Sequence, residues 1–141
     1  MFLNLIVAST NLYGLRAWAI APNTSIKWSL GFLITASFIY HLIEIHKHDM
    51  AGMPFWRNKV AHHTLLNLDR FGVVLMAYNT LSYDLVMNNM DIFGLFAFGA
   101  MCLVFSEPVC EYFKWQKLYV VSHSMWHLIG YHCLYVVFNR W

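Results

Sequence analysis

The chain has 141 residues, enough for one domain, of which 60% are hydrophobic, 18% aromatic and only 11% charged, whereas an ordinary soluble domain has about 25% charged residues. This composition predicts a membrane protein. The formal net charge is +2 with the histidines neutral, and no run of lysines and arginines is long enough to bind nucleic acid or to form a polybasic lipid tether.

Five apolar segments are long enough, at about 20 residues per span, to cross a bilayer as helices. Short polar stretches separate them, and neither an internal repeat nor a flexible linker divides the chain. The sequence therefore predicts one all-α domain, residues 1–141, built as an integral membrane bundle of about five transmembrane helices. The predicted spans lie near Phe2 to Ala21, Trp28 to His46, Thr64 to Asp84, Ile92 to Cys110, and Trp115 to Phe138.

The first segment has two interpretations. Ala19 and Ala21 precede Pro22, as small residues do at the cleavage site of a signal peptide. A signal peptide also needs a positively charged region at its start, and no basic residue precedes Arg16. We therefore favour a retained span over a cleaved signal.

The third and fourth segments have irregular ends. The uncharged stretch from Phe71 to Tyr83 is short for a span, unless its helix begins upstream and carries Asp69 and Arg70 inside. The fourth segment ends raggedly at Glu107 and Pro108. Three cysteines lie in or beside the apolar segments without CxxC spacing or an even count, which favours free thiols over disulfides: Cys102, Cys110 and Cys133.

The distribution of basic residues orients the bundle. Six of them fall in or beside the second and fourth connections: Lys47, Arg57, Lys59, Arg70, Lys114 and Lys117. The opposite side has three: Arg16, Lys27 and Arg140. Because cytoplasmic loops are richer in lysine and arginine, we expect the N-terminus to be cytoplasmic and the C-terminus to lie outside.

Histidines occur at helical spacing in two of the spans. In SFIYHLIEIHKHD, the side chains of Ser37, His41, Glu44 and His48 follow one side of a helix. In SHSMWHLIGYH, residues His123 and His127 are again one turn apart, whereas His132 points away from them. Two imidazoles at positions i and i+4 can bind one metal ion, and His41 is the natural third ligand.

The depth of these residues in the bilayer supports their grouping. The second span ends, and the third and fifth begin, on the same side of the membrane. His41, Asp69, His123 and His127 therefore all lie within ~20 Å of one face, at ~1.5 Å per residue, and helix tilt can bring them into one layer. Ionisable groups inside a span are costly, so several at matched depth favour one shared site.

These residues resemble the signature of the CREST superfamily of alkaline ceramidases, progestin and adipoQ receptors, and myomaker-like proteins. The resemblance rests on Ser37-x-x-x-His41, on Asp69 near the start of the next span, and on His123-x-x-x-His127 in the last. It implies that the three histidines bind zinc and that Ser37 and Asp69 hold the zinc-bound water. Glu44, on the side of His41, would support that ligand from behind.

The chain departs from the superfamily pattern in two respects. The superfamily has seven spans whereas five are predicted here, and 28 residues separate His41 from Asp69, a longer stretch than the resemblance leads us to expect. Loss of one helical hairpin between the third and last spans would keep the site residues on one side of the membrane. A reduced seven-helix fold would also leave a smaller lipid cavity.

Each site residue also has a simpler explanation. Ser37 can bond back to its own helix, Asp69 can pair with Arg70 or cap a helix start, and buried histidines can be satisfied by carbonyls or by one another. A second group of metal-binding residue types is more typical of a solvated loop than of a metal site: His46, His48, Asp49, His62 and His63.

Three functions are compatible with this pattern. The first is a zinc-dependent membrane hydrolase, in which a metal-activated water cleaves a lipid amide, Asp69 transfers the proton and Ser37 orients the water. For this function, the resemblance implies a ceramide-like substrate, and the apolar faces imply that the substrate enters from the bilayer. The second is a haem-binding electron carrier with His41 facing His123 or His127. The third is a receptor or fusion scaffold with a structural zinc.

Overall fold

A computed structural model describes residues 3–45, 58–80 and 87–141 of the chain. Within these ranges the regular elements are all helical and no strand occurs, which confirms the all-α prediction. The helices are α1 (Leu3–Thr10), α2 (Leu15–Ala19), α3 (Thr24–Ile43), α4 (Lys59–Thr80), α5 (Met90–Val104) and α6 (Gln116–Arg140). A 3-10 helix, Asn11–Gly14, joins α1 to α2, and a π-helix, Phe105–Cys110, continues α5, so that the described chain forms five helical rods.

The second rod is displaced from its predicted position. Helix α3 begins at Thr24, ahead of the predicted Trp28, because the Asn23 side chain caps it by accepting a hydrogen bond from the Ile26 amide at 2.9 Å. It ends at Ile43, and Glu44 has left the helical conformation. The prediction that the helix continues through Glu44 was therefore wrong, and the predicted end at His46 lies outside the described residues.

The third rod begins upstream of its predicted start. Helix α4 starts at Lys59 and carries Asp69 and Arg70 in its interior, which confirms the longer of the two interpretations. His62 and His63 belong to this helix, so the loop prediction was wrong for both. The predicted end of the span at Asp84 and the other members of the histidine-rich group, His46, His48 and Asp49, lie outside the described residues.

The first rod packs into the bundle between α3 and α6. Asn11, at the start of the 3-10 helix, is fully buried; its amide donates to the Ala8 carbonyl, and its side-chain oxygen accepts the Tyr131 hydroxyl at 2.9 Å. Gly14 lies so close to Tyr131 and Ile34 that an added Cβ would stand 2.7 and 2.8 Å from their side chains. The first rod therefore approaches both neighbours more closely than a larger residue would allow.

Glycines also mark the other close helix contacts. A Cβ at Gly72 would lie 3.1 Å from the Leu33 backbone, where α4 meets α3, and one at Gly99 would lie 2.9 Å from Ile129, where α5 meets α6. Small residues at helix contacts are typical of membrane bundles, where backbones approach closely. The cysteines are free thiols, as expected.

The outer surface is strongly apolar. Two segments, Thr24–Ile43 and Met90–Cys110, are long and apolar enough to span a membrane. Only 17% of the apolar window in Met90–Cys110 is buried, and its large outward side chains are exposed: Phe93, Leu95, Phe96, Phe98, Met101, Val104 and Phe105. Large exposed apolar patches mark surfaces that face a lipid or a protein partner.

Candidate metal centre

Three histidines from two helices meet in the interior of the bundle. His41 lies in the last turn of α3, and His123 and His127 lie one turn apart on α6. Their ring centroids are 4.7 to 4.9 Å apart, and one ring nitrogen from each lies within 4.8 Å of the others. The side chains are 2%, 2% and 7% exposed. This buried group could hold a metal ion.

His41 contacts the carboxylate of Glu44, which follows the end of α3. Glu44 leaves the helix, so that its Oε2 returns to within 2.8 Å of His41 Nδ1. The Tyr119 hydroxyl donates to the same carboxylate, 2.9 Å from each oxygen, and the Tyr40 hydroxyl lies 3.2 Å from Oε1. The Asn4 side chain donates to the Glu44 carbonyl at 3.0 Å. Glu44 is thus fixed beside His41 by contacts from α1, α3 and α6.

The other two histidines have hydroxyl partners. His127 Nδ1 lies 2.8 Å from Thr10 Oγ1, on the last residue of α1. His123 Nδ1 lies 3.1 Å from Ser106 Oγ, which is fully buried in the π-helix. Sequence reasoning missed both residues. No signal in the sequence marked them, because serine and threonine inside an apolar helix usually bond back to their own helix.

Ser37 and Asp69 lie together beside His41. The Asp69 carboxylate, half-buried on α4, lies near the Ser37 hydroxyl and within electrostatic range of His41 and Arg70. Ser37 is 3% exposed and lies one turn before His41 on α3. Asp69 lies well inside α4, so it does not cap the start of that helix. The structure therefore brings together the five residues of the motif, which come from three helices, α3, α4 and α6.

The remaining histidines of the described chain lie away from this group. His132 is exposed, and its Nδ1 is 3.5 Å from the Tyr13 hydroxyl, on the outward side of the first rod. His62 accepts a hydrogen bond from the Ile45 amide at 3.2 Å and packs against Tyr40. His63 is exposed. The three clustered histidines are thus the ones that the i, i+4 spacing and the matched depth predict.

The site combines metal-ligand groups with negative charge. Glu44 and Asp69 are both close to His41, and each carboxylate lies in the electrostatic field of the other. Two carboxylates in a low-dielectric interior repel each other and are costly to keep ionised without a nearby cation. A divalent cation among the three imidazoles would offset both charges.

Comparisons with known proteins add one relative. No protein-family model matches the chain, and no solved structure matches it. An uncharacterized protein of Acanthamoeba polyphaga mimivirus is 29% identical over 110 residues, an alignment that covers 70% of each chain. The chain is therefore similar to a viral protein whose printed description assigns no activity.

Proposed function

We propose that this chain is an integral-membrane hydrolase that depends on zinc and cleaves a lipid amide. The observation that carries the proposal is the grouping of three buried histidines with a hydroxyl and carboxylate pair, Ser37 and Asp69. A purely structural ion would need the imidazoles alone. The added carboxylate, beside the histidines and near a hydroxyl, is the kind of group that a hydrolytic site uses as a base.

Zinc suits the donor set. Three neutral imidazoles are a common ligand set of catalytic zinc sites, which keep the fourth position open. Nitrogens bound at about 2.0–2.1 Å in tetrahedral geometry stand roughly 3.3 Å apart, so small ring rotations would close the present separations of up to 4.8 Å. The nitrogens would come from His41, His123 and His127.

The residues around the ligands have separate tasks in this proposal. When bound, zinc would supply Lewis acidity and lower the pKa of a water molecule toward about 7. Asp69 accepts the proton of the attacking water and passes it to the leaving amine. Ser37, near the Asp69 carboxylate, donates its single proton to the developing oxyanion when the substrate is present. Glu44 fixes the ring of His41 from behind.

The proposed substrate enters from the bilayer. Exposed apolar side chains cover the outer faces of α4 and α5, including Phe71, Val74, Phe98 and Met101. In the five-span arrangement that we propose, these faces contact lipid, the N-terminus is cytoplasmic and the site lies toward the cytoplasmic side. An acyl chain can then approach the histidines without crossing water. The ceramide-like amide is what the CREST resemblance implies.

The geometry favours a single ion over a haem. A porphyrin held by two axial histidines must lie between their rings, yet the His41 ring centroid is 4.7 Å from that of His123 and 4.9 Å from that of His127. Haem ligation would also leave the third histidine, Ser37 and Asp69 without a task. A zinc-bound scaffold with no turnover uses the same three ligands and is the alternative that the experiment must separate.

Three measurements on protein purified in detergent test the proposal. Metal analysis should find about one zinc per chain, and the visible spectrum should have no Soret band. Release of fatty acid should then be followed over a panel of ceramides and other lipid amides, with His132→Ala as a variant that keeps the site. Zinc-loaded protein that hydrolyses none of them supports the scaffold, whereas protein that takes up no zinc contradicts both functions.

A further inference from the structure

We propose that Thr10, Ser106 and Glu44 fix one tautomer in all three histidines, with the proton on Nδ1 and the lone pair of Nε2 directed at the ion. Thr10 and Ser106 are therefore positioning residues of the metal centre. This inference rests on the proposed metal site, although the tautomers themselves exist without the metal. The inference follows from the acceptors to which the Thr10 and Ser106 hydroxyls donate their protons.

The proton of Thr10 is already committed. The Thr10 hydroxyl donates to the Val7 carbonyl of its own helix at 2.6 Å. Two oxygens 2.6 Å apart with no proton between them would repel each other, so we assign the one hydroxyl proton to the Val7 carbonyl. At 2.8 Å from His127 Nδ1, the Thr10 oxygen then accepts. His127 must then carry its proton on Nδ1, which leaves Nε2 as the metal ligand.

The same reasoning applies to Ser106 on the opposite side of the site. Its hydroxyl donates to the Leu103 carbonyl at 2.8 Å, so at 3.1 Å it accepts from His123 Nδ1. Ser106 lies in the π-helix, next to Pro108, whose ring removes a backbone donor. Such π-helical turns are frequent at functional sites. Here the turn carries the hydroxyl that contacts His123.

Glu44 is the third group that contacts the Nδ1 atom of a histidine, and it does so with a carboxylate. Both Glu44 oxygens act as acceptors, because the Tyr119 hydroxyl donates to each and the Tyr40 hydroxyl donates to Oε1. His41 Nδ1, at 2.8 Å, therefore donates as well. All three rings thus have Nδ1 tied to an acceptor on another turn or helix, and a ring held in this way loses less freedom when it binds a metal.

The first test is metal affinity. Zinc or Co²⁺ titration of detergent-solubilised protein should show that Thr10→Val, which keeps the shape but removes the acceptor, binds about 10–100-fold more weakly, as does Ser106→Ala. Thr10→Ser, which keeps the hydroxyl, should bind like the parent. Ser9→Ala and Ser122→Ala remove hydroxyls that donate to their own helices and should leave the affinity unchanged.

The second test needs no metal. In metal-free protein, ¹⁵N NMR of labelled histidine should show His123 and His127 with the proton on Nδ1, and Thr10→Val should release His127 alone to a mixture of tautomers. Nε2-protonated rings in the parent would overturn the inference, as would parent-like affinity and tautomers in folded Thr10→Val and Ser106→Ala. A parent with the stated tautomers that binds no metal would instead overturn the proposed function.

Discussion

Tyr119 donates its hydroxyl to both carboxylate oxygens of Glu44, 2.9 Å from each, although the two residues are 75 positions apart in the chain. This contact ties the start of α6 to the end of α3. It also fixes the carboxylate that holds His41, so the hydrogen bond joins the stability of the bundle to the geometry of its site.

Replacing Tyr119 by Phe should weaken both properties. Loss of a hydrogen bond to a charged group should lower the free energy of unfolding by about 1.5–3 kcal/mol, and zinc should bind less tightly because Glu44 is less constrained. Thermal unfolding in detergent and metal titration measure the two effects. Tyr78→Phe, at a hydroxyl-bearing ring that is 84% exposed, is the matched control. Equal unfolding midpoints in the two variants would contradict the structural role of the bond.

The three histidines should bind the metal as a unit. His41→Ala, His123→Ala and His127→Ala should each remove most of the zinc, because two imidazoles alone hold the ion weakly. His132→Ala and His63→Ala should keep it, since both side chains lie outside the cluster. Metal content per chain is the measurement. Loss of zinc from His132→Ala with retention in His127→Ala would contradict the ligand set.

The Asp69 carboxylate should matter for turnover and not for metal binding. Asp69→Asn should keep the zinc yet lose activity on the order of 10²-fold or more, as expected for removal of a general base. Ser37→Ala should also keep the zinc and lose less activity, because a single hydrogen bond is removed. Fatty-acid release and zinc content are determined on the same samples. Full activity in zinc-replete Asp69→Asn protein would remove the aspartate from the mechanism.

A methyl group at Gly14 should separate the first rod from its neighbours. Its Cβ would stand 2.7 Å from the Tyr131 ring and 2.8 Å from Ile34, so Gly14→Ala should destabilise the fold by about 1–3 kcal/mol through overpacking. It should also weaken metal binding by moving Thr10 away from His127. Gly130→Ala, on α6, meets nothing within 4 Å and should be neutral or stabilising by up to about 1 kcal/mol. Unfolding midpoints that rank the variants in the reverse order would be inconsistent with this packing.

The orientation of the chain can be measured with reporters at its two ends. The proposed five spans would place the ends on opposite sides, and the excess of basic residues on one side predicts a cytoplasmic N-terminus. A reporter fused to Trp141 should therefore read outside, and one fused before Met1 should read cytoplasmic. Cytoplasmic signals at both ends would mean an even number of spans.

Residues with a periodic or ionic signature could be located from the sequence. The spacing of His123 and His127 predicts that both lie on one face of a helix. His41 and Asp69 were grouped with them because ionisable groups inside a predicted span are costly and favour a shared site. The expectation that these residues meet needed only the alternation of helix directions. It did not depend on exact helix limits, and α3 begins and ends, and α4 begins, several residues from the predicted limits.

Thr10 and Ser106 could not be located in this way. Threonine and serine inside an apolar helix usually bond back to their own carbonyls, as both do here, and nothing local indicates a second partner. The partner of Thr10 is 117 residues away. The non-helical conformation of Glu44 could not be predicted from the sequence either, because it is stabilised by Asn4 and Tyr119 from other helices.

The distance in sequence between Thr10 and His127 has a consequence for how the protein is made. The helix with Thr10 leaves the ribosome early, whereas its partner follows 117 residues later, after the other helical rods have been synthesised. Until then, Glu44 also lacks Tyr119, and the proposed metal centre lacks two of its three ligands. The proposed centre can therefore assemble only after α6 has been synthesised.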